Sequence, residues 1–191
     1  MLKTKTFIAL LVLPFISRAF DPPVAIMSTG EMSQGNLTSF FLLNRPEADS
    51  ILVSQMALAY IEECRIEGVN SDIAFIQMCL ETGFLRFQGL VTPEMNNFCG
   101  LGATGPRHSG ESFPDIRTGI RAHIQHLKAY GSEEPLALEQ VDPRFHYVSP
   151  RGKAPDIFSL AGTWAADREY GSKLYNLLER LYHSATVAEP F

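Results

Sequence analysis

The chain has 191 residues, 46% of them hydrophobic and 19% charged, with a formal net charge of −5. That size and apolar content suffice for one compact domain with a real core and exclude a disordered chain, while the acidic balance argues against nucleic acid, whose phosphates need clustered Lys and Arg. Cys64, Cys79 and Cys99 are an odd number and cannot describe a disulfide framework, so all three are expected to pack as small apolar residues.

Lys3 and Lys5 open the chain, the apolar run FIALLVLPFI follows over residues 7–16, and Ser17-Arg18-Ala19 offers a small-x-small cleavage site. This pattern predicts a signal peptide over residues 1–19, because the run is shorter than the roughly 20 apolar residues a membrane span needs. An N-terminal core helix and an uncleaved anchor are the alternatives. No cysteine follows the run, which argues against lipid attachment there. Cleavage after Ala19 would remove Lys3, Lys5 and Arg18 and no acid, moving the net charge from −5 to −8. The expected product is exported, to the periplasm, the cell envelope or the medium, without a stable membrane span.

Residues 20–49 read as an extension whose FFLL cluster at 40–43 packs onto the domain as a short helix. Asn36-Leu37-Thr38 fits a glycosylation acceptor, a pattern too common by chance to carry weight. A strong helix is predicted over residues 50–67, with Ile51, Leu52, Met56, Ala59, Tyr60 and Cys64 at helical spacing and Gly68 as the stop. A second begins at Asn70-Ser71-Asp72, where either of the first two residues can cap, and ends at Gly83. Its apolar circumference places it in the middle of the molecule.

From residue 84 to 114 the pattern is irregular and rich in glycine, as functional segments often are, with room for at most a small hairpin between Gly89 and Phe113. A third helix follows Asp115, carrying Ile116, Ile120, Ile124 and Leu127 on one face and stopping at Gly131. A short helix is predicted near residues 156–160, then a last one with Tyr170, Leu174, Leu177, Leu178 and Leu181 as its apolar stripe. The architecture is therefore mainly α: a single domain over residues 50–183 with a helical core, followed by a tail over 184–191.

The buried second helix carries one acid near its end, Glu81. There it faces unpaired carbonyls, and apolar surroundings add desolvation; both disfavour the ionised form and raise the pKa. A carboxyl group kept protonated near neutral pH can give its proton to a leaving oxygen, as cleavage of a glycosidic bond requires. The alternatives are that Glu81 points to water or pairs with Arg86.

Four blocks carry a resemblance: EGVNSDIAFIQMCLETGFLRF at 67–87, NNFCGLG at 96–102, FPDIRTGIRAHIQHLKAY at 113–130 and LAGTWAADREYGSKLYNLL at 160–178. In order and spacing they resemble the glucosaminidase domain of glycoside hydrolase family 73, over about residues 50–181. The resemblance implies a lysozyme-like fold cleaving the β-1,4 bond of peptidoglycan on the N-acetylglucosamine side. The substrate would be the glycan strand, met by a monomer without metal or cofactor. It implies Glu81 as general acid, Tyr170 beside the reacting sugar, and Asn96, Asn97, Phe98 and Gly100 at the cleft floor, with Trp164 and Asp167 in the block that precedes Tyr170.

Trp164 and Tyr170 offer flat faces for sugar C–H groups and polar tips for hydroxyls, or can pack in the core. The asparagines can pair with an acetamido group or hold a turn. For the second catalytic group Glu111 is the preferred match and Asp115 the next, although Asp115 is also placed to cap a helix; the substrate's own acetamido carbonyl is the third option. His123 and His126 lie three apart on a helix without an indicated third ligand, and with His108 they read as surface or packing residues. GLGATG at 100–105 lacks the strand and Lys-Ser/Thr ending of a nucleotide loop. A non-catalytic glycan-binding or scaffolding module with the same fold is the rival to a hydrolase.

Overall fold

Side-chain caps set the helix limits in the computed structural model, which describes residues 21–187. Asp49 accepts from the backbone N–H groups of Ile51 and Leu52, opening α2 (Ser50–Glu67), and Asn70 does the same for Asp72 and Ile73 at the head of α3 (Ser71–Thr82). Ser33 caps the shorter helix that precedes them, α1 (Gln34–Asn44), and Asp115 accepts from Thr118 N at 2.8 Å to start α4 (Ile116–Gly131). The last helix, α5 (Tyr170–Val187), runs into the stretch expected to be a tail. Between α3 and α4 lies an antiparallel hairpin of two short strands, β1 (Ala103–Gly105) and β2 (His108–Ser109). The fold is mainly helical with one small hairpin lobe, consistent with a lysozyme-like architecture.

Helix α3 is the axis of the molecule. Ten of its twelve residues are buried, and α1, α2, α4 and α5 all pack against it. Phe75 lies at its centre with Tyr60 of α2 and Phe41 of α1 edge-on to its ring. Burying each such side chain contributes about 1.5–3 kcal/mol. Helix α4 approaches the segment after α3 so closely that a Cβ on Gly119 would sit 1.8 Å from the carbonyl oxygen of Asn96.

Three buried acids fasten the frame. Glu63 receives Arg117 at 2.6 Å and Arg121 at 2.8 Å, joining α2 to α4. Glu67 receives Lys128 at 2.9 Å together with the N–H groups of Ala137 and Leu138. Asp72 receives Glu31 N, Met32 N and the Tyr182 hydroxyl, tying the stretch before α1 to α3 and α5.

Some expectations change. Residues 156–160 form turns rather than a helix, because the Asp156 side chain takes the N–H groups of Phe158 and Ser159, each at 2.9 Å. Helix α4 includes Gly131 and is capped by Ser132. Ile51 is 69% exposed, lying off the buried stripe of Val53, Met56, Ala57, Tyr60 and Cys64. The expected signal peptide lies outside the described residues. Among the described residues no helix is long and apolar enough to cross a membrane.

Candidate active site

A cleft of about 540 Å³ opens where the C-terminal end of α3, the irregular segment after it and the start of α5 meet. Glu81 sits in the last turn of α3 and lines this cleft with Trp164, Tyr170, Asn97, Cys99 and Phe87. The backbone that makes room for it is unusual. Gly83 ends α3 at φ +57°, and Phe84, Leu85 and Phe87 continue with positive φ, a left-handed conformation that costs roughly 1–2 kcal/mol for each non-glycine residue. Thr82 Oγ1 accepts from Leu85 N at 2.9 Å, and Arg45 from the end of α1 donates to the carbonyls of Phe84 and Leu85 at 3.0 and 2.8 Å. These bonds hold the turn and aim Phe87 into the cleft.

Glu81 Oε1 accepts from the Tyr170 hydroxyl and from Trp164 Nε1, the latter at 3.0 Å. By area Glu81 is an exposed residue, open to the cleft, yet its carboxyl end is crowded by protein. Desolvation therefore pushes its pKa up, and the hydrogen bonds from Tyr170 and Trp164 oppose that without cancelling it. Arg86, the base considered as a partner, turns instead to the carbonyls of Gly83 and Asn44 and to Glu47. Among the described residues no cation pairs with Glu81, and its Oε2 carries no protein hydrogen bond.

Tyr170 is buried at 5% exposure, and its hydroxyl also receives Gln77 Nε2 at 2.9 Å. Burial and the neighbouring Glu81 push that hydroxyl well up, so it stays protonated and remains a donor. Trp164 forms one wall of the cleft, with its ring 5.3 Å from that of His126 and 5.2 Å from that of Tyr130. Both roles considered for it, cleft wall and packing, are filled at once.

The NNxxG block divides. Asn97 lines the cleft but is spent on the loop: its Oδ1 accepts from Leu101 N at 2.9 Å and its Nδ2 donates to the carbonyls of Leu101 and Glu111. Asn96 does not reach the cleft, because its backbone is left-handed at φ +50° and its Nδ2 donates to Phe113 O. Phe98 also departs from its expected place. It is 3% exposed and packs in the core, its ring 6.4 Å from Phe87, and it does not line the cleft.

The preferred second carboxylate, Glu111, follows the hairpin and does not line the cleft; its carboxylate lies 3.7 Å from Arg144 and against Gly102. Asp115 is occupied as the cap of α4, accepting from both the N–H and the hydroxyl of Thr118. Asp167 pairs with Lys173 at 2.6 Å. Glu81 is thus the one carboxylate among the described residues lining the cleft.

Sequence reasoning missed several members. Cys99 lines the cleft, and burial, with Glu81 and Asp142 adding to it, pushes its thiol well above the ordinary range and favours the protonated form. His126 bonds Asp142 at 2.7 Å beneath Trp164, and His123 bonds Tyr60 and Gln77 inside the core. Among the described residues no group of three or more His, Cys, Asp or Glu is arranged to hold a metal ion. The only signal for Gln77 was a polar residue on an otherwise apolar helix, four residues before Glu81.

A family model described as "Glucosaminidase: Mannosyl-glycoprotein endo-beta-N-acetylglucosaminidase" matches residues 57–183. An uncharacterised protein of Borreliella burgdorferi (strain B31) is 47% identical over 156 residues, which is 82% of this chain and 76% of that protein.

Proposed function

The chain belongs to the glucosaminidase family of glycoside hydrolases, and from that premise we propose that it is an exported endo-β-N-acetylglucosaminidase whose substrate is bacterial peptidoglycan. Glu81 acts as general acid. The observation that carries this reading is a carboxyl group at the cleft whose Oε1 is held by two donors while its pKa is raised by desolvation, leaving Oε2 to bear the proton.

A β-1,4 linked strand lying in the cleft presents its glycosidic oxygen to Oε2. Proton transfer accompanies cleavage of the C1–O bond, and the two donors on Oε1 stabilise the carboxylate that forms. Trp164 and Phe87 supply flat apolar walls for sugar faces. With Glu111 beside Arg144 and Asp115 capping α4, the attack on C1 is assigned to the acetamido oxygen of the substrate, followed by water; two successive inversions retain the anomeric configuration. Residues 1–19 direct export and are removed.

Glu81→Gln, close to isosteric, is expected to lower release of reducing ends from purified cell walls by about a hundredfold or more with folding intact. Mass spectrometry of the products should show N-acetylglucosamine at the new reducing end. Full activity in the Gln variant overturns the assignment of Glu81. Wall binding without any release by the wild-type protein would favour a non-catalytic glycan-binding module.

A further inference from the structure

Behind Glu81 runs a chain of buried polar side chains that acid catalysis as described does not require. Tyr60, Gln77 and His123 are each 0% exposed. The Tyr60 hydroxyl lies 3.0 Å from His123 Nδ1, His123 Nε2 lies 3.0 Å from Gln77 Oε1, and Gln77 Nε2 donates to the Tyr170 hydroxyl at 2.9 Å, which in turn meets Glu81 Oε1. The chain joins α2, α4, α3 and α5, and in a helix core it sits among Phe75, Cys64 and Cys79 where a gap in polar pairing would cost about 1–3 kcal/mol.

The direction of each bond follows from elementary chemistry. An amide oxygen only accepts, so His123 Nε2 carries the hydrogen. A neutral imidazole has one N–H, so Nδ1 is bare and accepts from Tyr60. The amide nitrogen only donates, so the Tyr170 oxygen is an acceptor toward Gln77 and its single hydrogen is left for Glu81. The reverse polarity would make Glu81 Oε1 the donor and leave the Tyr170 hydrogen without an acceptor among the described residues, since its other partner, Gln77 Nε2, is itself a donor. Burial, with His126 adding to it, pushes His123 down to about 3, so the ring is neutral across any working pH.

We propose that Gln77 and His123 are positioning residues: they lock the Tyr170 hydroxyl as a donor to Glu81 Oε1 and thereby confine the transferable proton to Oε2. This rests on Glu81 as the general acid. Ionisable groups nearby are few. Tyr170 from α5 and Cys99 from the loop face Glu81; Tyr60 from α2 and His126 of α4 face His123, with Cys64, Cys79 and Cys99 around Tyr60 and Asp142 behind His126.

The test is a double-mutant cycle on the full chain with cell-wall substrate. Gln77→Met keeps the volume and removes both polar ends. The expected result is a kcat roughly tenfold lower with KM little changed, an alkaline limb of the pH–rate profile moved upward, and no further loss when the change is made in Tyr170→Phe. Additive losses with an unmoved limb mean that Gln77 only packs, and overturn the proposal even if Glu81→Gln is inactive. If the Met variant fails to fold, ¹⁵N NMR of the wild-type histidines decides: His123 must show a protonated Nε2 and a bare Nδ1 between about pH 5 and 8. The opposite tautomer reverses the chain and refutes the mechanism; inactivity of the wild type instead removes the reading of Glu81 on which it rests.

Discussion

Acid should unfold this protein through a histidine that never meets solvent. Burial holds His123 at about 3, against about 6.5 in an unfolded chain. Above pH 6.5 both states are neutral and its contribution to stability is complete. Below that value the unfolded chain takes up a proton that the folded one refuses, so stability falls with pH until about 3, where the native ring also protonates. Each unit well inside the window costs about 1.4 kcal/mol, so moving from pH 6.5 to pH 4 costs about 3 kcal/mol and the whole window about 5, a large share of the 5–15 kcal/mol typical of a domain. Urea unfolding followed by circular dichroism at several pH values, for the wild type and His123→Gln, isolates the term, since other groups titrate alike in both. The variant should be less stable at pH 7 by about 1–3 kcal/mol, having lost its fit to Tyr60 and Gln77, and the gap should shrink by about 1.4 kcal/mol for each unit below 6.5. Parallel curves for the two proteins would refute the reasoning.

Glu63 should act in the same direction over a lower range. Burial pushes its carboxyl up but Arg121 and Arg117 more than offset this and hold it below the ordinary carboxylate value, so its contribution is present above that value and is lost as pH falls through the depressed one. Thermal melts of Glu63→Gln should show a loss of about 1–2 kcal/mol at neutral pH, because Arg121 and Arg117 lose a charged partner while both remain partly solvated and Arg117 keeps Glu62. Tyr170→Phe keeps the ring and removes the donor on Glu81 Oε1, so kcat should fall about tenfold or more and the alkaline limb of the pH–rate profile should rise. A limb that stays in place would mean that Tyr170 does not tune the acid. Glu111→Gln should leave turnover on cell walls within about twofold, since its partner is Arg144 and not the cleft; a hundredfold loss would restore it as the second catalytic group.

The helices and the acid were legible from local chemistry. Asn70 and Asp115 before apolar runs, and Gly68 and Gly83 after them, are signals that act within one helical turn, so α2, α3 and the start of α4 fall where the sequence predicts them. The same local rule places Glu81 in the last turn of a helix too apolar to lie anywhere but the centre. The resemblance in four blocks puts Tyr170 beside the reacting sugar and Trp164 in the block before it; that both bond to Glu81 comes from the fold.

What lies across the fold was not legible. Two adjacent asparagines read alike in sequence, yet a single left-handed residue at position 96 sends one to Phe113 and leaves the other facing the cleft. Glu111 has a carboxylate of the right type at a plausible distance along the chain, but which base it meets depends on where the segment around Arg144 folds back. His123 and Gln77 are 46 residues apart and share no local pattern; only the packing of α4 against α3 brings ring and amide together. Sequence alone determined α2, α3, the start of α4, their order and the acid at the end of the buried helix, because propensity, capping and amphipathic period act between residues a few positions apart. Tertiary structure alone decided which polar groups surround that acid, because burial and hydrogen-bond direction are properties of whatever the rest of the chain brings to the same place.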